Sequence, residues 1–189
     1  MRSRRKILDA TLGLIAGGGF EAVNIAAVAS AAGVSRQTVY SIFGTREDLV
    51  SQAVAGLAMD LLGDIRQRLE ATDSALAYVV ELVVVARSAV RADPVLATLF
   101  HAERGSPVFD PGMMDRAQPI ARQLLEPLAE RHPEVASSLD DLVEITLRLG
   151  LSVVLFDDDA VHDDDALRRF LSRWLRPALP SSGSQEFNS

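Results

Sequence analysis

Cysteine is absent from the 189 residues of this sequence. That excludes disulfides, thiolate metal sites and a cysteine nucleophile, and it suits the reducing cytoplasm. Charged residues are sparse at 24% against 48% hydrophobic, so the chain can bury a substantial core and does not read as disordered. Runs of β-branched residues are few and no Asn-Gly hairpin signal occurs, which leaves little to suggest strands. No apolar run is long enough to span a bilayer. The most apolar, residues 78–86, is interrupted by Glu81 and bounded by Arg87, and reads as a buried helix. The basic start is followed by Ile7, Leu8, Asp9 and Ala10, an amphipathic alternation unlike a signal peptide. GxSxG, HExxH, P-loop and GxGxxG motifs are all missing, and His101, His132 and His162 are scattered. An enzyme and a bound cofactor are therefore not expected. Repeats of 20–50 residues are also lacking.

What is present is a stretch with an unusual order, Ile25 to Phe43, IAAVASAAGVSRQTVYSIF. It reads as two short helices joined by a glycine turn. The small Ala29 lets the helices cross closely, and Gly33 suits a left-handed cap. Val28, Ala32, Val34, Val39 and Ile42 are spaced to close the angle between the helices. A helix-turn-helix of this kind places its second helix in the DNA major groove.

The net charge of −7 argues at first against a nucleic-acid partner, but its distribution reverses that reading. Residues 1–46 hold six basic groups (Arg2, Arg4, Arg5, Lys6, Arg36, Arg46) and two acids (Asp9, Glu21), a balance of +4 that leaves −11 for the rest. A basic head on an acidic body concentrates attraction for phosphate at one end. A chance excess of arginines near an exposed terminus is the competing explanation.

Nearly everything else reads as helix. The spacing predicts a first helix over Ser3–Ala16 with Ile7, Leu8, Leu12 and Ile15 on its apolar face, stopped by Gly17, Gly18 and Gly19. Phe20 and Val23 look like loop anchors. Asn24 and Ser35 can cap the second and third helices. Gly44 ends the third, and Thr45 with Asp48 resembles a capping pair opening a long fourth helix to about Glu70. A fifth is expected over Ser74–Arg91, and a sixth over Pro94–Glu103 behind Asp93. Gly105–Gly112 is the clearest loop. Residues Met113–His132 are helical but contain Pro119 and Pro127, so a kink or split is expected. Ser138–Phe156 and Asp164–Leu179 complete the body, and the polar tail from Ser181 to Ser189 is expected to be disordered. The domains are then residues 1–46 for the helix-turn-helix head, 47–180 for a connecting helix with a larger ligand-binding and dimerisation body, and 181–189 for the tail.

The segment VSRQTVYSIFGTREDLV, with the basic start and the ILDATLGLIAGGGFEAVNIAAVASAAG that precede it, resembles the N-terminal domain of TetR-family transcriptional regulators. The match covers about residues 4–50 and includes the turn glycine and Tyr40-x-x-Phe43. The ending LRRFLSRWLRPAL is similar to the last helix of many members. The resemblance implies an all-α homodimer whose first three helices bind DNA and whose last two pair with a second subunit. It implies a ligand-responsive regulator, most often a repressor, released from a palindromic double-stranded DNA operator by a small-molecule effector. The apolar composition of the body points to a mostly apolar effector. A helical small-molecule-binding or protein-interaction module with little DNA-binding activity is the alternative.

On the third helix, Val34 and Val39 are expected to face inward, leaving Arg36, Gln37, Thr38, Tyr40 and Ser41 to face outward or sideways. Gln37 can pair with adenine, Arg36 with guanine or phosphate, Thr38 with a thymine methyl or phosphate, and Tyr40 with phosphate. Asn24 and Ser35 stand at helix N-termini, as caps or as contributors to anion binding. Arg46 matches a basic position that the family uses on phosphate, and Arg4 and Arg5 can reach an adjacent groove or remain solvated. Two departures stand out. Ile42 replaces a histidine able to reach phosphate, and Ala26-Ala27 replaces a polar or basic pair, which together predict a shallower salt dependence.

In the body, Phe100, His101, Met113 and Met114 flank the Gly105–Gly112 loop and are candidates for an apolar ligand chamber, with ordinary core packing as the plainer reading. Tyr78 and Arg148 are further candidates. Arg148 either binds an anion or pairs with Glu144 one turn earlier. The acidic run over residues 157–165 invites a metal, but it lacks EF-hand spacing, and aspartates at a helix start are favourable in their own right.

Overall fold

A computed structural model describes residues 2–101, 112–156 and 163–179, with the side chains of His101 and Arg116 excepted. The expected loop around 105–111, most of the acidic run and the tail lie outside the described residues. Among the described residues ten α-helices follow one another: α1 (Arg2–Gly18), α2 (Ile25–Ala32), α3 (Arg36–Phe43), α4 (Arg46–Leu69), α5 (Ala75–Ala92), α6 (Pro94–His101), α7 (Met113–Arg131), α8 (Pro133–Ala136), α9 (Leu139–Leu155) and α10 (Asp164–Leu175). Among the described residues no strand is present. The architecture is all-α, as the sequence predicts.

Local chemistry sets most boundaries. Asn24, Ser35, Thr45, Ser74 and Asp163 each accept a backbone N–H from the first turn of the helix they open. The Thr45 cap is reciprocal: its hydroxyl accepts from Asp48 N–H at 3.0 Å and donates to the Asp48 carboxylate at 2.7 Å. Asp93 does the same for α6, accepting from the N–H groups of Val95 and Leu96. Gly33 closes α2 at φ 65°, ψ 40°, with open space where a Cβ would stand, so the backbone angle alone requires glycine.

Two hydrophobic clusters organise the chain. The head cluster gathers Ile7, Ile15, Val23, Val28, Ala29, Val39 and Phe43, and it extends past residue 46 to Leu49 and, from α6, Val95. The body cluster is centred on α5, where Val79, Val83 and Val84 are at most 1% exposed, packed with Leu125 and Leu128 of α7, Val143 of α9 and Leu167 and Leu171 of α10.

Several expectations are corrected. Ile42, counted among the residues that close the helix-turn-helix, is 37% exposed, and Phe43 takes the buried place one residue on. Of the kink or split expected at Pro119 and Pro127, the split is not seen: residues 113–131 form one continuous helix. A short helix, α8, opens on Pro133, and α10 ends at Leu175, with a turn carrying the chain to the buried Leu179.

Candidate nucleic-acid interface

The face that α3 turns to solvent follows from its period. Val39 and Phe43 are buried on one side, which rotates Arg36, Gln37, Tyr40 and Ser41 to the other, all exposed. Tyr40 is 53% exposed, so its hydroxyl is in water while part of its ring rests on the protein. The side chains of Arg36, Gln37 and Ser41 make no bond to another described residue. Thr38 is half-buried and its hydroxyl is 2.8 Å from that of Ser35, which also accepts the Thr38 N–H at 3.1 Å. Asn24 Oδ1 accepts from Ala27 N–H at 2.9 Å. Both predicted caps are thus occupied within their own helices.

The basic residues around α3 are more committed than their sequence suggests. Arg46 turns inward, its Nε donating to the Val23 carbonyl at 2.6 Å and its terminal nitrogen to the Phe20 carbonyl at 2.5 Å, with Glu47 at 3.5 Å. It straps the α1–α2 loop to the start of α4. Arg4 lies over the Phe43 ring at 5.5 Å and donates to Gln52 at 2.6 Å, pinning the N-terminus across α3 and α4. Arg5 is exposed and 3.9 Å from Asp9. Exposed Ile42 and half-buried Ala26 and Ala27 add no charge to this surface.

This geometry coincides with a known one. Residues 7–53 match the family described as bacterial regulatory proteins, tetR family. The whole fold overlays the TetR family repressor AlkX from Dietzia sp., implicated in biodegradation of n-alkanes, at TM-score 0.57 and 27% identity, over 93% of this chain and 94% of that one. The N-terminal segment of the chain is that of the TetR family. The HTH-type transcriptional regulator AlkX of Mycobacterium tuberculosis is 37% identical over 68 residues, 36% of this chain and 32% of that protein's length. A TetR/AcrR-family regulator from Thermobifida fusca shares the fold at TM-score 0.62 and 16% identity, covering 97% of this chain and 98% of its own.

The body candidates separate. Tyr78 is buried, its hydroxyl donating to the Leu124 carbonyl at 2.5 Å and its ring lying under Arg131 at 5.0 Å. Proline has no N–H, so Pro127 leaves the Gln123 carbonyl without its helical donor, and Tyr78 supports α7 on this same turn. Burial raises the Tyr78 phenol above its ordinary 10.0, partly offset by Arg131. Phe100, Met113 and Met114 are half-buried. The His101 side chain lies outside the described residues. Arg148 is on the surface of α9, paired with Glu144 at 2.5 Å, so it takes the helical-pair alternative.

One polar seam was not foreseen. Arg87, 1% exposed, lies 4.0 Å from Asp164, and Ser88 donates to the same carboxylate at 2.7 Å. Nearby, Arg168 grips Glu81 through two nitrogens at 2.9 and 3.1 Å and also meets Asp165. Its bond to Glu81 raises its already high pKa further. Together these tie α10 to α5. The signal was Glu81 and Arg87 within the most apolar helix; a charge at such a site needs a partner, although sequence cannot say which. Among the described residues, no group of three or more His, Asp or Glu is gathered to hold a metal, and no helix is long and apolar enough to cross a membrane.

Proposed function

We propose that this TetR-family chain is a dimeric, ligand-responsive repressor that binds a palindromic operator in the cytoplasm and leaves it when a small, mostly apolar molecule enters the body. The observation that carries the reading is the open face of α3, where Arg36, Gln37, Tyr40 and Ser41 stand clear of the protein while the helix is fixed from behind by Val39 and Phe43. Arg36 and Gln37 supply the bidentate groups that read guanine and adenine, and Tyr40 and Ser41 supply hydroxyls for phosphate. Asn24 and Ser35 hold helix N-termini at the same surface, Thr38 flanks it, and Arg46 sets the loop behind it. Arg4 and Arg5 add positive charge at the rim.

Dimerisation through the last two helices is supported by Ile145 within α9, Phe156 just past its end, and Phe170 and Trp174 of α10, all large, apolar and exposed in one subunit. The apolar body, with Phe100 on α6, Met113 and Met114 on α7 and Tyr78 packed against α7, suits a hydrophobic effector, and the implication of the Dietzia relative in n-alkane biodegradation points the same way. Ligand then acts by changing the separation of two recognition helices that must engage half-sites together.

The test is a gel shift with the DNA upstream of the chain's own gene, across a salt series. A sequence-selective shift that Tyr40→Phe weakens roughly five- to ten-fold, about 1 kcal/mol, without altering the oligomeric state is the expected result. The uncharged Ile42 and Ala26-Ala27 positions favour one other reading, a helical binding module with little DNA activity. No selective shift at the lowest salt would establish that reading instead.

A further inference from the structure

Five of the six threonines have their hydroxyls taken up within the protein. Thr11 and Thr98 donate to the carbonyls one turn earlier, those of Ile7 and Pro94, at 2.8 Å each. Thr38, Thr45 and Thr72 bond to the Ser35 hydroxyl, the Asp48 carboxylate and the Leu69 carbonyl. Thr146 is the exception. It lies midway along α9, 6% exposed, and its Oγ1 has no partner among the described residues. A buried hydroxyl without a hydrogen bond costs stability. A helical threonine escapes that cost by turning to the carbonyl four residues back, as Thr11 does and Thr146 does not.

The packing around it supplies a second observation. α9 lies against α5, α6 and α7, and the face that carries Thr146 loses cover along the helix. Leu142, Val143 and Thr146 are buried, whereas Gly150 and Val153 are half-buried, although both stand within about 40° of Thr146 around the helix axis. Gly150 has open space where a Cβ would stand. The later part of α7 meets the start of α9, where Arg122 bonds Asp140, so the first turn of α7, with half-buried Met113 and Met114, is set toward the far end. Building on the effector reading above, we propose that Thr146 is the polar anchor of the effector site, and that the effector is an uncharged hydrocarbon bearing one oxygen function, an alcohol or a ketone. A hydroxyl both donates and accepts, so it serves either. A carboxylate is excluded, because one neutral hydroxyl cannot compensate a buried charge. Val153 and the methionines take the hydrocarbon chain while Thr146 fixes its oxygen, as in a pocket that is mostly apolar with few polar groups.

Thr146→Val keeps the shape of the side chain and removes the hydroxyl. Without ligand, the variant should melt roughly 2–4 °C above the unsubstituted chain, since no bond within the protein is lost. A lower melting temperature would mean that the hydroxyl is already satisfied, and overturns the proposal. Calorimetry on the full chain with hexanol, octanol, decanol and octanoate reads the site itself. The best-bound alcohol should lose roughly ten-fold in Kd with Thr146→Val, the worth of one hydrogen bond. Thr146→Ser, which restores the hydroxyl, should recover most of that loss. Nonane at saturation, which matches octanol in size, should shift the melting temperature of both chains alike. Equal alcohol affinity with and without the hydroxyl, tighter binding of octanoate than of octanol, or no binding of any alcohol each overturns the assignment. A nonane shift that falls with Thr146→Val would trace the effect to shape and overturns it too. A gel shift separates this from the underlying reading. Octanol held through Thr146 while the operator stays bound upholds the site and sinks the release mechanism, whereas operator release that ignores Thr146→Val sinks only the anchor.

Discussion

Gly33, Tyr78 and Arg46 show how much a single side chain, or the lack of one, decides here. Gly33 occupies left-handed backbone with space around it, so Gly33→Ala strains the main chain without a clash. The expected cost is about 1–2 kcal/mol in urea unfolding, with no change in the denaturant slope. Tyr78 gives a pH-dependent prediction. Its phenol is raised by burial, so the folded state holds the proton more tightly than the unfolded state does. The stabilisation is therefore complete below pH 10 and fades as pH climbs through the raised value. Tyr78→Phe should flatten the alkaline fall in stability and lower stability at neutral pH by about 1 kcal/mol through the lost hydrogen bond to Leu124. Arg46→Ala removes two charge-assisted bonds to loop carbonyls. It should cost about 2 kcal/mol in thermal or urea unfolding, and any weakening of DNA binding should track that loss. Weaker binding with stability intact would instead place its guanidinium on phosphate.

At the scale of elements, the head was legible because its signals are local. Caps, a left-handed glycine and a 3.6-residue apolar period lie within a few residues of the backbone they control, so Asn24, Gly33, Ser35 and the Thr45–Asp48 pair could be read directly. Ile42 escaped because neighbouring apolar positions compete for one buried place, and the final rotation of α3 went to Phe43. The α5–α10 seam escaped for a different reason: Glu81 and Arg168 are 87 positions apart, and pairing over that separation is a property of packing. The unbroken α7 is a similar case, since at the turn of Pro127 it is held by the Tyr78 hydroxyl of α5 on the Leu124 carbonyl. The exposed edge of α3 yields a prediction of its own. Ile42→His or Ala26→Arg should tighten operator binding at low salt and steepen the dependence of log affinity on log salt by about 0.9 per added phosphate contact, counted in both subunits. An unaltered slope would mean that these positions do not face the backbone of the DNA.

For the whole molecule, the separation of charge is matched by an apolar join between its parts. The head carries the positive excess and the body the negative, yet the two share a core, because Val95 of α6 is 5% exposed within the head cluster beside α1. Val95→Ala removes two buried methyl groups, and about 2 kcal/mol of head stability should go with them, visible as faster amide exchange in α1 and α2 than in α5. Equal exchange in head and body would mean that the core does not depend on this contact. There is a practical corollary for anyone exchanging heads among such regulators. A splice made after the third helix would carry the exposed face of α3 into its new host and leave behind the valine that helps to close its core, so the recipient body must offer an equivalent side chain at the same place.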